Sequence, residues 1–271
     1  MTNTNTKNYF SHLRSLLIAG LLSCLCTACD FQSLKDPIIL TDVEDEFLLD
    51  MWEEITPQGR YFSFLIETIE DQPCSNSTIE YEVAESGINL DISLKKITQP
   101  ADCVEGIAPA LARVNLGTLP PQYFSVKIDL RDAVVNRAHF TVSEDAYLID
   151  MVTEYGIKPL RSELLRIEPR QCWGYISFPD ELREIARELD EKIRNTGDYR
   201  LPTDGYYGYF TIANGTLALK GQPENQGLKT MVLDVNEEQS TQLRELINEY
   251  RTRFADQGLL LSFRDGMGRT Y

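Results

Sequence analysis

The residues best equipped for chemistry are His139, Cys172 and a large stock of carboxylates, 42 Asp and Glu in 271 residues. His139 stands in Arg137-Ala138-His139-Phe140, which reads as a strand, and no Gly-x-Ser-x-Gly elbow occurs anywhere in the chain. The other histidine, His12, lies in the amino-terminal segment, so a Ser–His–Asp triad would have to be built on His139, which reads instead as a strand residue with ordinary partners. Cys172 lies beside Trp173 in an apolar run. A nucleophilic thiol needs exposure and electropositive surroundings, so this one reads as inert. Carboxylate pairs for glycoside hydrolysis meet in space and leave no spacing signature, which keeps a hydrolase of envelope or extracellular polymer open as the alternative function. No catalytic residue and no cofactor are assigned. No pair among Cys29, Cys74, Cys103 and Cys172 has zinc-finger spacing, and the acids Asp36, Asp42, Glu44 and Asp45 lack the EF-hand spacing and its glycine, so no metal site is assigned either.

The remaining chemistry-bearing feature is aromatic. Strand alternation in Cys172–Phe178 puts Cys172, Ile176 and Phe178 on one face and Trp173, Tyr175 and Ser177 on the other. In Tyr206–Ile212 it puts Tyr206, Phe210 and Ile212 opposite Tyr207, Tyr209 and Thr211. The more aliphatic sets suit a helix layer, which leaves Trp173, Tyr175, Tyr207 and Tyr209 as one aromatic face with polar tips. Such a face suits a glycan or a protein partner, because these side chains offer apolar area with a hydrogen-bonding handle. Packing of the same face against the rest of the protein is the plainer alternative, with Tyr207→Ala then costing what a core truncation costs.

The formal charge is −16, with 26 Lys and Arg against 42 acids. Nucleic acid is excluded as a partner, because phosphate binding needs clustered Lys and Arg. The acidic balance reads as solubility of an exposed domain.

The amino end carries Lys7 and Arg14, no acid before Asp30, a nearly unbroken apolar run from Leu16 to Leu25, and small residues at Thr27 and Ala28. This is the layout of a secretory signal, and the run is about half of the roughly 20 residues a spanning helix needs. Cys26-Thr27-Ala28-Cys29 resembles the lipobox of bacterial lipoproteins; Leu21-Leu22-Ser23-Cys24 resembles it too, but leaves a shorter apolar run. The resemblance implies cleavage before Cys29, acylation of its thiol, and a cell-envelope protein held on a membrane through its lipid, periplasmic or on the outer surface. Removal of residues 1–28 takes away two basic groups and no acid, so the charge moves to −18. With Cys29 lipidated, Cys74, Cys103 and Cys172 remain for an oxidising compartment. Cys74 and Cys103 sit in polar, proline-containing connections and form the expected disulfide.

These features need elements to carry them. Residues 29–45 read as an acidic tether. From 46 to 150 the pattern has period two: Ile79, Tyr81 and Val83, then Ile88, Leu90, Ile92 and Leu94, then Val126, Ile128 and Leu130, then Phe140 and Val142. Strands separated by turn signals predict an antiparallel β-sandwich. Leu116-Gly117-Thr118-Leu119-Pro120-Pro121-Gln122-Tyr123, with Val126-Lys127-Ile128 after it, resembles the penultimate loop and strand of bacterial immunoglobulin-like modules, in which a Leu-Pro-Pro turn leads an aromatic residue into an edge strand. The resemblance implies the fold and no activity. From 151 to 271 two amphipathic helices appear, one on Leu182, Ile185, Ala186, Leu189 and Ile193, the other on Leu243, Leu246, Ile247, Tyr250 and Phe254. Strand-like runs flank them, and Asn214-Gly215 marks a hairpin. The order predicts a split βαβ, ferredoxin-like α+β domain with both helices on one sheet face. The two sequons, Asn76-Ser77-Thr78 and Asn214-Gly215-Thr216, read as a loop and a turn.

Overall fold

A computed structural model describes residues 43–224 and 227–271; the expected signal segment, Cys29 and most of the expected 29–45 tether lie outside the described residues. The described chain from Val43 onward forms one compact unit.

Ten strands make one sheet: β1 (Phe47–Thr56), β2 (Gly59–Cys74), β3 (Thr78–Ser86), β4 (Asn89–Thr98), β5 (Glu105–Gly117), β6 (Gln122–Leu130), β7 (Val134–Val142), β8 (Ala146–Met151), β9 (Ile157–Pro159) and β10 (Glu163–Leu165). Their order is β10-β8-β7-β6-β4-β3-β5-β2-β1-β9. The expected immunoglobulin-like sandwich is therefore corrected: this is a single mixed sheet, curled into a half-barrel. Three of its pairings are parallel, β1 with β9, β3 with β5 and β4 with β6. The Leu-Pro-Pro turn does lead Tyr123 into β6, but β6 lies between β4 and β7 rather than at an edge. Curling achieves with one layer what a sandwich achieves with two: every strand buries one face, so the period-two pattern is the same in both. The concave face holds one core, from Phe47 and Leu49 on β1 through Phe64 and Val114 to Phe140 and Ile149. Its aromatic centre has Phe62 4.8 Å from Phe140 and 4.6 Å from Tyr147 between ring centroids. Residues 157–165 join the two ends of the sheet. The Leu160 amide donates to Leu49 O on β1, and Ser162 O accepts from Ile149 on β8.

The second half also departs from the expected ferredoxin-like domain. After β11 (Gln171–Phe178) come α1 (Arg183–Thr196), β12 (Asp198–Tyr199), β13 (Gly205–Tyr206), β14 (Phe210–Ala213), β15 (Thr216–Leu219), β16 (Gly227–Asp234), α2 (Glu237–Arg253) and β17 (Leu260–Asp265). A four-stranded antiparallel sheet has the order β12-β16-β11-β17, and β13-β14-β15 form a separate small sheet. The strand beside β16 is the two-residue β12, and the Tyr206–Ile212 run belongs to the small sheet instead. Both helices pack on one face of the four-stranded sheet: Ala186, Leu189 and Ile193 of α1 and Leu243, Ile247 and Tyr250 of α2 meet Cys172, Ile176, Met231 and Phe263. α2 starts on a capping box, the Asn236 side chain accepting from the Gln239 amide and Gln239 answering to the Asn236 amide. At Gly174 a Cβ would lie 2.3 Å from Ser262 O and 2.4 Å from the Phe263 ring, so only glycine lets β11 and β17 approach.

Cys74 and Cys103 form a disulfide, with Cα atoms 5.4 Å apart across a sequence separation of 29. It ties the end of β2 to the connection before β5. Cys74→Ala and Cys103→Ala are each expected to lower stability by about 3.5 kcal/mol, the loop-closure value for a ring of this length, and the double variant by no more. Urea unfolding of the three variants checks this; additive losses would mean that the cysteines act separately. Among the described residues Cys172 is the free thiol, and it is buried, so alkylation should reach it only after unfolding.

Candidate functional site

The three sheets meet at a seam. Ile55 from β1, Ile167 from the connection before β11, Trp173 and Val232 from the four-stranded sheet, Phe210, Ile212 and Leu219 from the small sheet, and Tyr207 from the link between β13 and β14 form one buried cluster, with Tyr175 and Tyr209 packed against it. The expected aromatic face is thus largely an internal joint. Trp173 is 5% exposed and Tyr207 6%, while Tyr175 and Tyr209 are half-buried. Tyr209 bridges two tryptophans, 4.8 Å from Trp52 and 5.2 Å from Trp173, and its hydroxyl accepts from the Ile55 amide. Tyr207 stacks on Phe210 at 4.7 Å and donates to Thr203 O. It borders a cleft of about 430 Å³ that also touches Asp145, Glu168 and Asp234.

The expected sorting of Tyr206, Phe210 and Ile212 toward the helices does not hold: Phe210 and Ile212 point into the seam, with Tyr207. Counting by twos fails because the run is broken at Gly208, whose φ is +78° and whose Cβ would meet the Trp52 ring at 3.4 Å. The left-handed residue reverses the alternation between β13 and β14.

Beside the seam runs a groove of about 410 Å³ between the convex face of the curled sheet and the small sheet. One wall carries Leu48 and Asp50 of β1, Leu65 and Glu67 of β2, Leu111 of β5, and Leu160; the other carries Tyr206, Thr211 and Ala218 in one cross-strand row. Strand register makes Leu48 the partner of Glu67 and Asp50 the partner of Leu65. Leucine at outward positions is the anomaly here, and Leu111 and Leu160 remain 46% and 47% exposed. Arg161 holds Asp50 at 2.6 Å and lies 4.0 Å over the Tyr206 ring. Burial, aided by Asp50, raises the Tyr206 phenol above its ordinary range. Lys220 closes the far end, 4.6 Å over the Trp52 ring.

The nucleophile and acid–base candidates are not assembled. Register brings Ser125, His139 and Asp150 into one outward row across β6, β7 and β8. All three are exposed, and His139 Nδ1 meets the Tyr123 hydroxyl rather than Ser125 or Asp150. Burial pushes the Cys172 thiol well above its ordinary value, with Asp265 adding to the shift, so it stays a thiol. In the groove, Asp50 is engaged by Arg161 and by the Met51 amide. Among the described residues no group of three or more His, Cys, Asp or Glu is arranged to hold a metal ion.

Glu53 and Asn136 are among the buried polar residues that escaped the sequence reading. Glu53 is 5% exposed on the concave side of β1, the position that alternation from Phe47, Leu49 and Met51 assigns to the core. Its carboxylate takes Arg60 at 3.1 Å, Arg166 at 3.2 Å and the Tyr147 hydroxyl at 2.7 Å. Arg60 also donates to Ile167 O and to Gly266 O, which links the curled sheet to the second half. Asn136, fully buried on β7, exchanges hydrogen bonds with the Tyr155 backbone. A charged or amide residue at an inward strand position was the available signal in both cases.

No protein-family model matches the chain, and neither a curated protein nor a solved structure matches it.

Proposed function

We propose that the chain is a lipid-anchored envelope protein that binds a protein segment in the groove and does no chemistry on it. The outward leucines Leu48, Leu65, Leu111 and Leu160 carry this reading: a solvated sheet face has no reason to hold four of them beside a second wall. A protein segment fits this lining better than a glycan. Of the groove's two rings, Phe210 is buried and Tyr206 is already covered by Arg161, whereas sugars need open aromatic faces. Covering the exposed parts of the leucines is worth on the order of 1 kcal/mol each, so useful affinity also needs hydrogen bonds from the partner. Anchoring follows from the lipobox resemblance at Cys29, and an export address agrees with the Cys74–Cys103 disulfide.

A photo-crosslinking residue at position 111 in cells making the full chain tests the binding reading. A specific protein adduct is expected from position 111, none from position 139 on the opposite part of the convex face, and loss of the adduct with Leu160→Glu. Equal labelling from both positions, or release of fragments from an envelope polymer by the purified protein, would overturn it. For the anchor, Cys29→Ala is expected to yield unlipidated protein and Cys24→Ala to leave acylation intact; acyl groups found at residue 24 would contradict the assignment.

A further inference from the structure

Where the groove ends at Leu219 and Lys220, a second, smaller pocket of about 150 Å³ begins, lined by Trp173, Tyr175, Tyr209, Ser262 and Arg264 as well. Two cations face it and no carboxylate lines it, in a chain of formal charge −16. Among the described residues neither Lys220 nor Arg264 has an acidic partner, although most Lys and Arg on the curled sheet do. Lys220 Nζ rests over the Trp52 ring, and the Arg264 guanidinium lies 5.1 Å from the Tyr209 ring centroid. Among the described residues Arg264 makes one long bond, Nη2 to Ile55 O at 3.4 Å, and its buried Nε has no acceptor. A buried guanidinium N–H without an acceptor is costly, and an orphan of this kind points to a group that completes it. The Tyr175 and Ser262 hydroxyls also border the pocket, and neither is committed to a hydrogen bond among the described residues. Like charges converging on aromatic faces, with free hydroxyl donors around them, are the complement of an anion.

We propose that Lys220, Arg264 and the hydroxyls of Tyr175 and Ser262 form a binding site for a compact oxyanion, a phosphate, sulfate or carboxylate group. Size sets the upper bound: a cavity of about 150 Å³ takes a ligand of roughly six non-hydrogen atoms. The group is either a free ion or the anionic end of a larger molecule whose remainder leaves toward the groove past Lys220. The site stands on its own donors and does not require the groove reading.

Both tryptophans of the chain, Trp52 and Trp173, report on this pocket, so the test is a fluorescence titration of the mature chain carrying Cys29→Ser, with calorimetry as a second readout. Inorganic phosphate is titrated at constant ionic strength against chloride. Saturable binding is expected with phosphate and not with chloride, weakened at least tenfold by Lys220→Met and by Arg264→Met. Lys220 is exposed, so its variant decides the matter even if Arg264→Met folds poorly. Leu111→Glu in the groove is expected to leave phosphate binding unchanged, which separates this site from the one proposed above. A short peptide ending in a free carboxylate, compared with its amide, distinguishes the sources. Tighter binding of the acid than of phosphate assigns the anionic end of a larger ligand, and the reverse assigns the free ion. No saturable phosphate or carboxylate response, or one that survives Lys220→Met unchanged, would refute the site.

Discussion

Glu53→Ala is expected to lower the stability of the protein by about 3–5 kcal/mol, the range seen when one member of a buried ion pair is removed and its partner charges stay behind. The side chains left behind are Arg60 and Arg166, 18% and 17% exposed, both aimed at the vacated position. The Tyr147 hydroxyl loses its acceptor in the same step. Because Arg60 also reaches Ile167 O and Gly266 O, the effect should spread beyond β1 into the junction between the curled sheet and the second half. Hydrogen exchange of the amides around residues 167 and 266 is the specific readout, and urea unfolding gives the magnitude. Replacing Glu53, Arg60 and Arg166 together by apolar residues of similar volume should cost far less than Glu53→Ala, since the penalty is the uncompensated charge rather than the lost attraction. A loss below about 1 kcal/mol for Glu53→Ala would show that water reaches the cluster and that the junction is held by packing alone.

Tyr207→Ala is expected to cost a similar amount, about 3–5 kcal/mol, as truncation of a large aromatic in a core does. For a domain of this size that is a fall in Tm on the order of 10 °C. The ring stacks on Phe210 in the seam where the three sheets meet, so its loss leaves a cavity that no single element can collapse to fill. Tyr207→Phe keeps the ring and removes only the bond to Thr203 O, so it should cost about 1 kcal/mol. Thermal and urea unfolding of the pair separate packing from hydrogen bonding. Equal and small losses in the two variants would mean that the ring is a surface group, and the aromatic cluster would again be free to act as a ligand platform.

Several features of this protein were legible from its residues in order. Leu189 and Ile193, Leu243 and Ile247 repeat with a period of 3.6, and a helix with one apolar stripe has one face to cover. Asn236 and Gln239 carry the capping box in their types and spacing. The alternation of Leu90, Ile92 and Leu94 marks a strand buried on one side, and Cys172, Ile176 and Phe178 were separable from Trp173 and Tyr175 by parity alone. Two cysteines in polar connections were separable from a third in an apolar strand, and that sorting yields the Cys74–Cys103 bond. All of these are local, settled by a repeat or a neighbour a few residues away.

Tertiary structure decided what local pattern leaves open. Period two records that a strand has a buried face and is silent on whether a second sheet covers it or its own sheet curls over it. The parallel pairings of β4 with β6 and β3 with β5 join residues 30 or more apart, and no turn signal records them. A single left-handed glycine at 208 reversed the parity of Tyr206–Ile212, because alternation carries across a run only while the backbone stays extended. Glu53 shows the same division. Its inward position was in the sequence, but the two arginines and the tyrosine that make that position tolerable come from β2, β8 and the turn after β10. Only the closed fold brings their charges and dipoles within hydrogen-bond distance.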